Sequence, residues 1–136
     1  MKYNKGFTLL ELLVVIAVIG ILTSVVLASM SQSREKGADG GIKEEMANVR
    51  TQAEVYYHTH SNVYTGMCTS MGQNGVKPLL DKVSEYAGTA ATCFESATKW
   101  AAAVQLKSQA TTTYFCVDSD GKAISTLTAL SGVTCQ

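Results

Sequence analysis

The chain has 136 residues with 11 basic and 11 acidic side chains, so its formal net charge is zero. This length suits one small domain with one appended element. No cluster of lysine and arginine provides a positive surface for nucleic acid, so nothing in the composition indicates a nucleic-acid-binding protein. Much of the apolar content lies in residues 7–30, and the rest, rich in Ala, Thr and Ser, supports only a small core.

The N-terminus combines a short basic leader with a long apolar segment. Residues 1–6 are polar and contain two lysines, whereas residues 7–33 contain a single charged residue, Glu11. As a helix, residues 12–33 would be about 33 Å long, which is enough to cross a bilayer core of about 30 Å. The sequence therefore predicts one membrane-spanning helix with the leader lysines on the cytoplasmic side.

Residues 34–60 predict an amphipathic helix that follows a glycine-rich turn. Three glycines in residues 37–41 each weaken a helix by about 1 kcal/mol relative to alanine, so we expect a kink or a local break there. Beyond them, six residues recur at intervals of four and three, which places them on one face of a helix. These residues are Ile42, Met46, Val49, Ala53, Tyr56 and His60. The stripe must pack against another element.

Residues 61–136 predict a small globular head. A short helix is expected at residues 78–86, with a proline in its first turn and a glycine after its end. Alternation of apolar side chains predicts a half-buried strand at residues 99–107. Two further strands are predicted at residues 111–117 and 122–125. The predicted fold class is therefore α+β, with a long N-terminal helix packed against a small antiparallel sheet.

All four cysteines lie in this head, at Cys68, Cys93, Cys116 and Cys135. An even number beyond a membrane segment predicts two disulfides formed in an oxidising compartment, where they would stabilise a small core. Three pairings are open, and the short loops favour Cys68–Cys93 with Cys116–Cys135. Because no Cys-x-x-Cys pair is present, we expect no zinc site. We expect no cofactor, and no motif other than the Asp118–Asp120 turn indicates another metal.

The segment Lys5-Gly6-Phe7-Thr8-Leu9-Leu10-Glu11 resembles the prepilin processing site of type IV pilins and of the pseudopilins of type II secretion. The resemblance is close over the N-terminal quarter, and the remainder agrees only in layout. It implies that a prepilin peptidase cleaves between Gly6 and Phe7 and methylates the new amine of Phe7. A carboxylate in a membrane helix is itself a functional signal. The resemblance implies that Glu11 pairs with the N-terminal amine of a neighbouring subunit and sets the register of assembly.

The resemblance also implies how the segments are used. Residues 1–6 would be a leader peptide, residues 7–33 a transmembrane and filament-core helix, residues 34–60 an amphipathic helix, and residues 61–136 a disulfide-stapled head. Such a protein is a structural subunit, not an enzyme. It would begin as a single-pass precursor in the cytoplasmic membrane and polymerise into an extracellular filament for adhesion, motility, DNA uptake or secretion. Its partners would be other copies of the chain, the prepilin peptidase and the pilus or secretion assembly machinery.

Three alternatives stay open. The first is a minor pilin, or a pseudopilin that forms a short periplasmic stalk in a type II secretion system. The second is a secreted binding module that an ordinary signal peptidase releases by cleaving after Ala28. Glu11 would, however, interrupt the apolar core of the signal peptide. An enzyme anchored by one span is the third, but no catalytic constellation supports it.

Asp118 and Asp120 are expected in a hairpin turn, with a calcium site as the alternative.

Overall fold

The computed structural model describes residues 6–72, 74–108 and 111–136, apart from the side chain of Ala28. The two leader lysines lie outside the described residues. The chain divides into two compact units, Met1–Arg34 and Glu35–Gln136. Helix α1, Leu9–Thr59, contributes its first part to one unit and its second part to the other.

In the first unit, α1 exposes apolar side chains on all sides. The large apolar side chains from Phe7 to Met30 are between 42 % and 84 % exposed. Two hydroxyls within this surface are satisfied internally, since Thr23 Oγ1 donates to the Ile19 carbonyl at 2.7 Å and Ser24 Oγ donates to the Gly20 carbonyl at 2.9 Å. In the described part of the chain, this is the one helix long and apolar enough to cross a membrane, a property that an N-terminal signal sequence shares.

Helix α1 runs without interruption through Gly37, Gly40 and Gly41. The expectation of a local break at these glycines is therefore wrong, while a kink there stays a prediction. The physical reason is that tertiary contacts outweigh helix propensity. Asp39 lies between the glycines, Ile42 follows them directly, and both side chains are buried in the head.

In the second unit, α1 buries the apolar stripe that the sequence predicts. Its members Ile42, Met46, Val49, Ala53 and Tyr56 are all buried. His60 is the exception, because α1 ends at Thr59 and the imidazole is exposed beyond it. The His60 ring stacks on Tyr56 with their ring centroids 3.8 Å apart, so it covers the end of the stripe without entering the core.

A second helix and a four-stranded sheet complete the head. Helix α2, Lys77–Ala87, has a proline in its first turn and ends at Gly88 in the left-handed conformation, close to the predicted bounds. The strands are β1 (Thr92–Glu95), β2 (Trp100–Gln105), β3 (Tyr114–Asp118) and β4 (Ala123–Thr126). They form an antiparallel meander in the order β1-β2-β3-β4. Strand β1 was not predicted, because its four residues alternate only between exposed and half-buried.

Strand β2 is buried on both faces, so the prediction of a half-buried strand is wrong. Trp100, with the alternate residues of β2, contributes to the main core with α1. Ala101 and Ala103 point into a second cluster that contains Cys116 and Cys135. The C-terminal segment covers this second face because a disulfide holds it there, and alanines leave room for it to approach closely.

Candidate assembly site and the contacts that shape the head

A capping box closes the N-terminal end of α1. Glu11 Oε2 accepts hydrogen bonds from the Thr8 backbone N–H and from the Thr8 hydroxyl, both at 3.0 Å. Thr8 Oγ1 in turn accepts the backbone N–H of Glu11 at 3.2 Å. Thr8 directly precedes the first helical residue, so the two side chains satisfy each other's backbone donors at the helix start. A carboxylate there also faces the positive end of the helix dipole.

Sequence reasoning indicates Glu11 but not Thr8. Glu11 stands out as a charge in an apolar segment, whereas the Thr-x-x-Glu spacing of a capping box is a separate, local signal that also includes Thr8. The structure joins the two residues and gives Glu11 a partner within its own chain. Within the described residues, only one of the two Glu11 oxygens accepts a hydrogen bond, so the carboxylate has capacity for a further donor.

The predicted cleavage bond lies just before this cap. Gly6 and Phe7 are outside the helix, and both are exposed. Apart from its chain neighbours, no atom of the described residues lies within 4 Å of the position that a Gly6 Cβ would occupy. Phe7 is 84 % exposed. The Gly6–Phe7 bond is therefore accessible in the subunit and directly precedes the capping box of Thr8 and Glu11.

The four cysteines form two disulfides in the head. Cys68 joins Cys93, and Cys116 joins Cys135, each with a Cα–Cα distance of 5.8 Å. These are the pairs that the short loops favour. Glu95 reinforces the first pair, since its carboxylate accepts the backbone N–H of Gly66 at 2.6 Å and that of Cys68 at 2.5 Å.

Asp118 holds the chain end rather than presenting oxygens to solvent. It is fully buried. Its Oδ1 accepts the backbone N–H groups of Asp120 and Lys122, both at 3.0 Å, and its Oδ2 accepts that of Cys135 at 2.9 Å. Asp120 pairs with Lys99 at 2.7 Å. These contacts agree with a hairpin turn and leave Asp118 with internal partners on both oxygens. The described residues contain no group of three side chains suited to a metal ion.

Asp39 makes the contact that sequence reasoning missed. Its Oδ1 accepts the backbone N–H of Lys107 at 2.7 Å, and its Oδ2 accepts the backbone N–H of Ser108 at 3.1 Å and the Ser108 hydroxyl. Burial by itself raises the pKa of Asp39. The hydrogen bonds, led by that of Ser108, together with the charge of Lys43 outweigh burial and lower the pKa below its ordinary value. Its position between glycines was the only local hint.

The comparison with protein families bears on the N-terminal site. The family described as the prokaryotic N-terminal methylation motif matches residues 1–27. This chain carries that motif. The match includes the Gly6–Phe7 bond and the capping box of Thr8 and Glu11.

Two curated relatives extend the similarity beyond the motif. Competence protein ComGC of Halalkalibacterium halodurans is 32 % identical over 65 residues, which cover 48 % of this chain and 64 % of the relative. The type IV wide pilus major component PilA4 of Thermus thermophilus is 32 % identical over 77 residues, which cover 57 % of this chain and 58 % of the relative. The chain thus spans less than two thirds of the length of each. No solved structure matches the chain significantly.

Together with the motif, these relatives support the type IV pilin family and a pilin-type structural subunit. The fold agrees with that layout, because a long N-terminal helix packs its second half against an antiparallel sheet. The members of this family are structural proteins.

Proposed function

We propose that this chain is a type IV pilin-like subunit that polymerises through α1 into an extracellular filament. The proposal rests on two features that occur together at the N-terminal end of α1. Glu11 caps the helix, and the large apolar side chains from Phe7 to Met30 are exposed. Such a surface requires lipid or other apolar helices around it. The motif match over residues 1–27 supports the same use.

Processing would precede assembly. The precursor would lie in the cytoplasmic membrane as a single-pass protein, and a prepilin peptidase would cleave after Gly6 and methylate the amine of Phe7. Cleavage creates a positive charge close to the Glu11 carboxylate. The pilus or secretion assembly machinery would then move the subunit from the bilayer into the growing filament.

Assembly would exchange lipid contacts for contacts with other copies of α1. Because lipid chains are as apolar as the helix surface, the hydrophobic effect alone favours neither state, and close packing with polar pairs decides between them. A buried carboxylate is costly unless it is paired. Glu11 would therefore favour the one axial register in which its free oxygen meets the amine of Phe7 from a neighbouring copy.

The first experiment is the mass of the mature chain. We would express the full precursor with a prepilin peptidase, shear the cells, and measure the intact mass and the N-terminal peptide of the released protein. The proposal expects an N-terminus at Phe7 with one added methyl group. An N-terminus at Ser29 would instead identify a secreted module, and an intact Met1 would contradict processing.

Matched variants separate processing from assembly. Glu11→Gln keeps the size of the side chain and removes its charge, so Phe7 should still appear as the N-terminus while the filament yield falls. Glu35→Gln is the control, because Glu35 is also exposed on α1 but lies outside the apolar segment. Electron microscopy of the sheared fraction then distinguishes long surface filaments from the short stalk expected of a pseudopilin.

A further inference from the structure

Three glycines in α1 have no packing reason within the subunit. Apart from their chain neighbours and the adjacent backbone of α1 itself, no atom of the described residues lies within 4 Å of the Cβ positions of Gly37, Gly40 and Gly41. All three are helical, and none has the positive φ that would demand glycine. Glycine is nevertheless among the least favourable residues in a helix interior. Alanine would fit all three positions, so close packing inside the subunit does not account for them.

The glycines lie at a junction in the chain. The boundary between the two compact units falls at Arg34 and Glu35, immediately before them. The continuous buried stripe of α1 begins at Ile42, immediately after them. Among residues 35–41, Asp39 is the one whose side chain is buried. This turn of the helix is thus weak by composition and attached to the head chiefly through one side chain.

We propose that residues 37–41 form a hinge in α1, and that Asp39 holds it closed against the head. The carboxylate accepts hydrogen bonds from two backbone N–H groups and one hydroxyl, all at Lys107 and Ser108 after strand β2. Hydrogen bonds to an ionised acceptor are the strong kind. Once these hydrogen bonds are released, the glycine-rich turn has a low helix propensity and no buried side chain to keep it helical.

The next turn of α1 is held differently. Ile42 and Met46 are fully buried, and the Lys43 ammonium lies over the Phe115 ring at 5.5 Å from its centroid. Opening would therefore stop at Ile42, and the apolar part of α1 would change direction without unfolding the head. The hinge is a property of the single subunit, and only its use during assembly rests on the proposed function.

Amide hydrogen exchange of the full chain in detergent micelles tests the hinge directly. The Asp39→Asn variant should raise the exchange rate of residues 35–41 by at least about tenfold, because the charge-assisted hydrogen bonds weaken. The rate over residues 45–56 should not change. Asp81→Asn is the matched control, since Asp81 is exposed and forms an ion pair with Lys77 one turn away on α2.

Two outcomes of that experiment would overturn the proposal. One is an unchanged rate over residues 35–41, which would mean that Asp39 does not hold the turn. The other is an equal rise over residues 45–56, which would mean that Asp39 stabilises the whole head and closes no local hinge.

Substitution of the three glycines tests whether flexibility or contact with another copy explains them. The triple alanine variant (Gly37→Ala, Gly40→Ala, Gly41→Ala) should slow exchange over residues 35–41 and lower the filament yield. The triple serine variant adds a larger side chain but keeps a lower helix propensity, so it should assemble better than the alanine variant. Equal or greater loss with serine would contradict a hinge and indicate close packing instead.

These measurements also separate the hinge from the proposed function. Absence of filaments from the unchanged chain would refute assembly, while the exchange rates in micelles would still decide the hinge. Normal filament yield from the triple alanine variant would refute any role for the hinge in assembly.

Discussion

Replacing Asp118 by asparagine should destabilise the head by about 3 kcal/mol, although the two side chains have nearly the same size. The amide keeps one oxygen for the N–H groups of Asp120 and Lys122, but it is uncharged, and charge-assisted hydrogen bonds are roughly twice as strong as neutral ones. The second oxygen becomes an NH₂ group that faces the N–H of Cys135. A buried donor without a partner costs about 1–3 kcal/mol.

The single tryptophan makes this loss measurable. Trp100 is fully buried in the core, so its fluorescence reports the unfolding of the head during a urea titration of the chain in micelles. For a domain near 100 residues, a loss of 3 kcal/mol corresponds to a decrease in Tm of roughly 12–24 °C. The slope of the free energy of unfolding against urea concentration should be the same in both proteins, because the surface exposed on unfolding does not change.

The neighbouring Asp120 supplies a matched control. Its carboxylate is exposed and pairs with Lys99 at the surface, where such pairs contribute about 0–1 kcal/mol. Asp120→Asn should therefore leave the urea midpoint almost unchanged. The reasoning about the buried Asp118 carboxylate is wrong if the free energy of unfolding of Asp118→Asn stays within about 1 kcal/mol of the original chain. It is also wrong if both variants lose the same free energy of unfolding.

Three further perturbations follow from other contacts. Thr8→Val should remove the helix cap at a cost of about 1 kcal/mol and increase amide exchange in the first turn of α1, whereas Thr8→Ser should not. Because the pKa of Asp39 lies below its ordinary value of 3.8, its contribution to stability is complete above that value and is lost as pH falls through the folded pKa. Asp39→Asn should therefore be less stable at neutral pH but show a smaller loss on acidification. Changing Cys116 and Cys135 to serine should cost about 3 kcal/mol and make the last ten residues susceptible to a carboxypeptidase.

The tyrosine beside the core supplies an alkaline test. Burial and the hydrogen bond that the Tyr64 hydroxyl donates to Glu54 at 3.0 Å raise the pKa of Tyr64 to about 12. Since the folded chain keeps this proton where the unfolded chain loses it, stability should fall as pH rises from about 10. Tyr64→Phe should abolish that part of the decline. An unchanged absorbance titration near pH 12 in this variant would show that another phenol titrates there.

Features encoded by residues close together in the chain could be predicted from the sequence. The apolar segment, the stripe from Ile42 to Tyr56 and the helix that ends at Gly88 all follow from spacing and from turn residues. The capping box was also within reach, because Thr8 and Glu11 are three residues apart. The charge of Glu11 in an apolar segment indicates a membrane or assembly role, and that stronger signal hides the capping spacing.

The contacts that the sequence concealed join distant residues. Asp39 meets Ser108, and Asp118 meets Cys135, so neither pair has a spacing that a pattern can reveal. Each carboxylate satisfies backbone donors at the end of an element, where the donors have no strand or helix partner. Both acidic residues lie in segments, residues 37–41 and 118–121, whose composition is typical of a solvated turn.

The difference between local signals at the N-terminus and long-range contacts in the head predicts different effects of mutations in the two regions. The information for processing and register lies in a short N-terminal segment, where the cap needs only residues 8–11. The head is held by hydrogen bonds between distant residues and by two disulfides, the second of which requires Cys135. On the proposed function, the head, including the second part of α1, would fold outside the membrane while the apolar first part of α1 remained in lipid. A variant of Asp118 should then reduce the amount of stable precursor, whereas a variant of Glu11 should leave that amount unchanged and reduce only its entry into filaments. Immunoblots of the membrane and sheared fractions distinguish these results, and a loss of precursor with Glu11→Gln would contradict this separation.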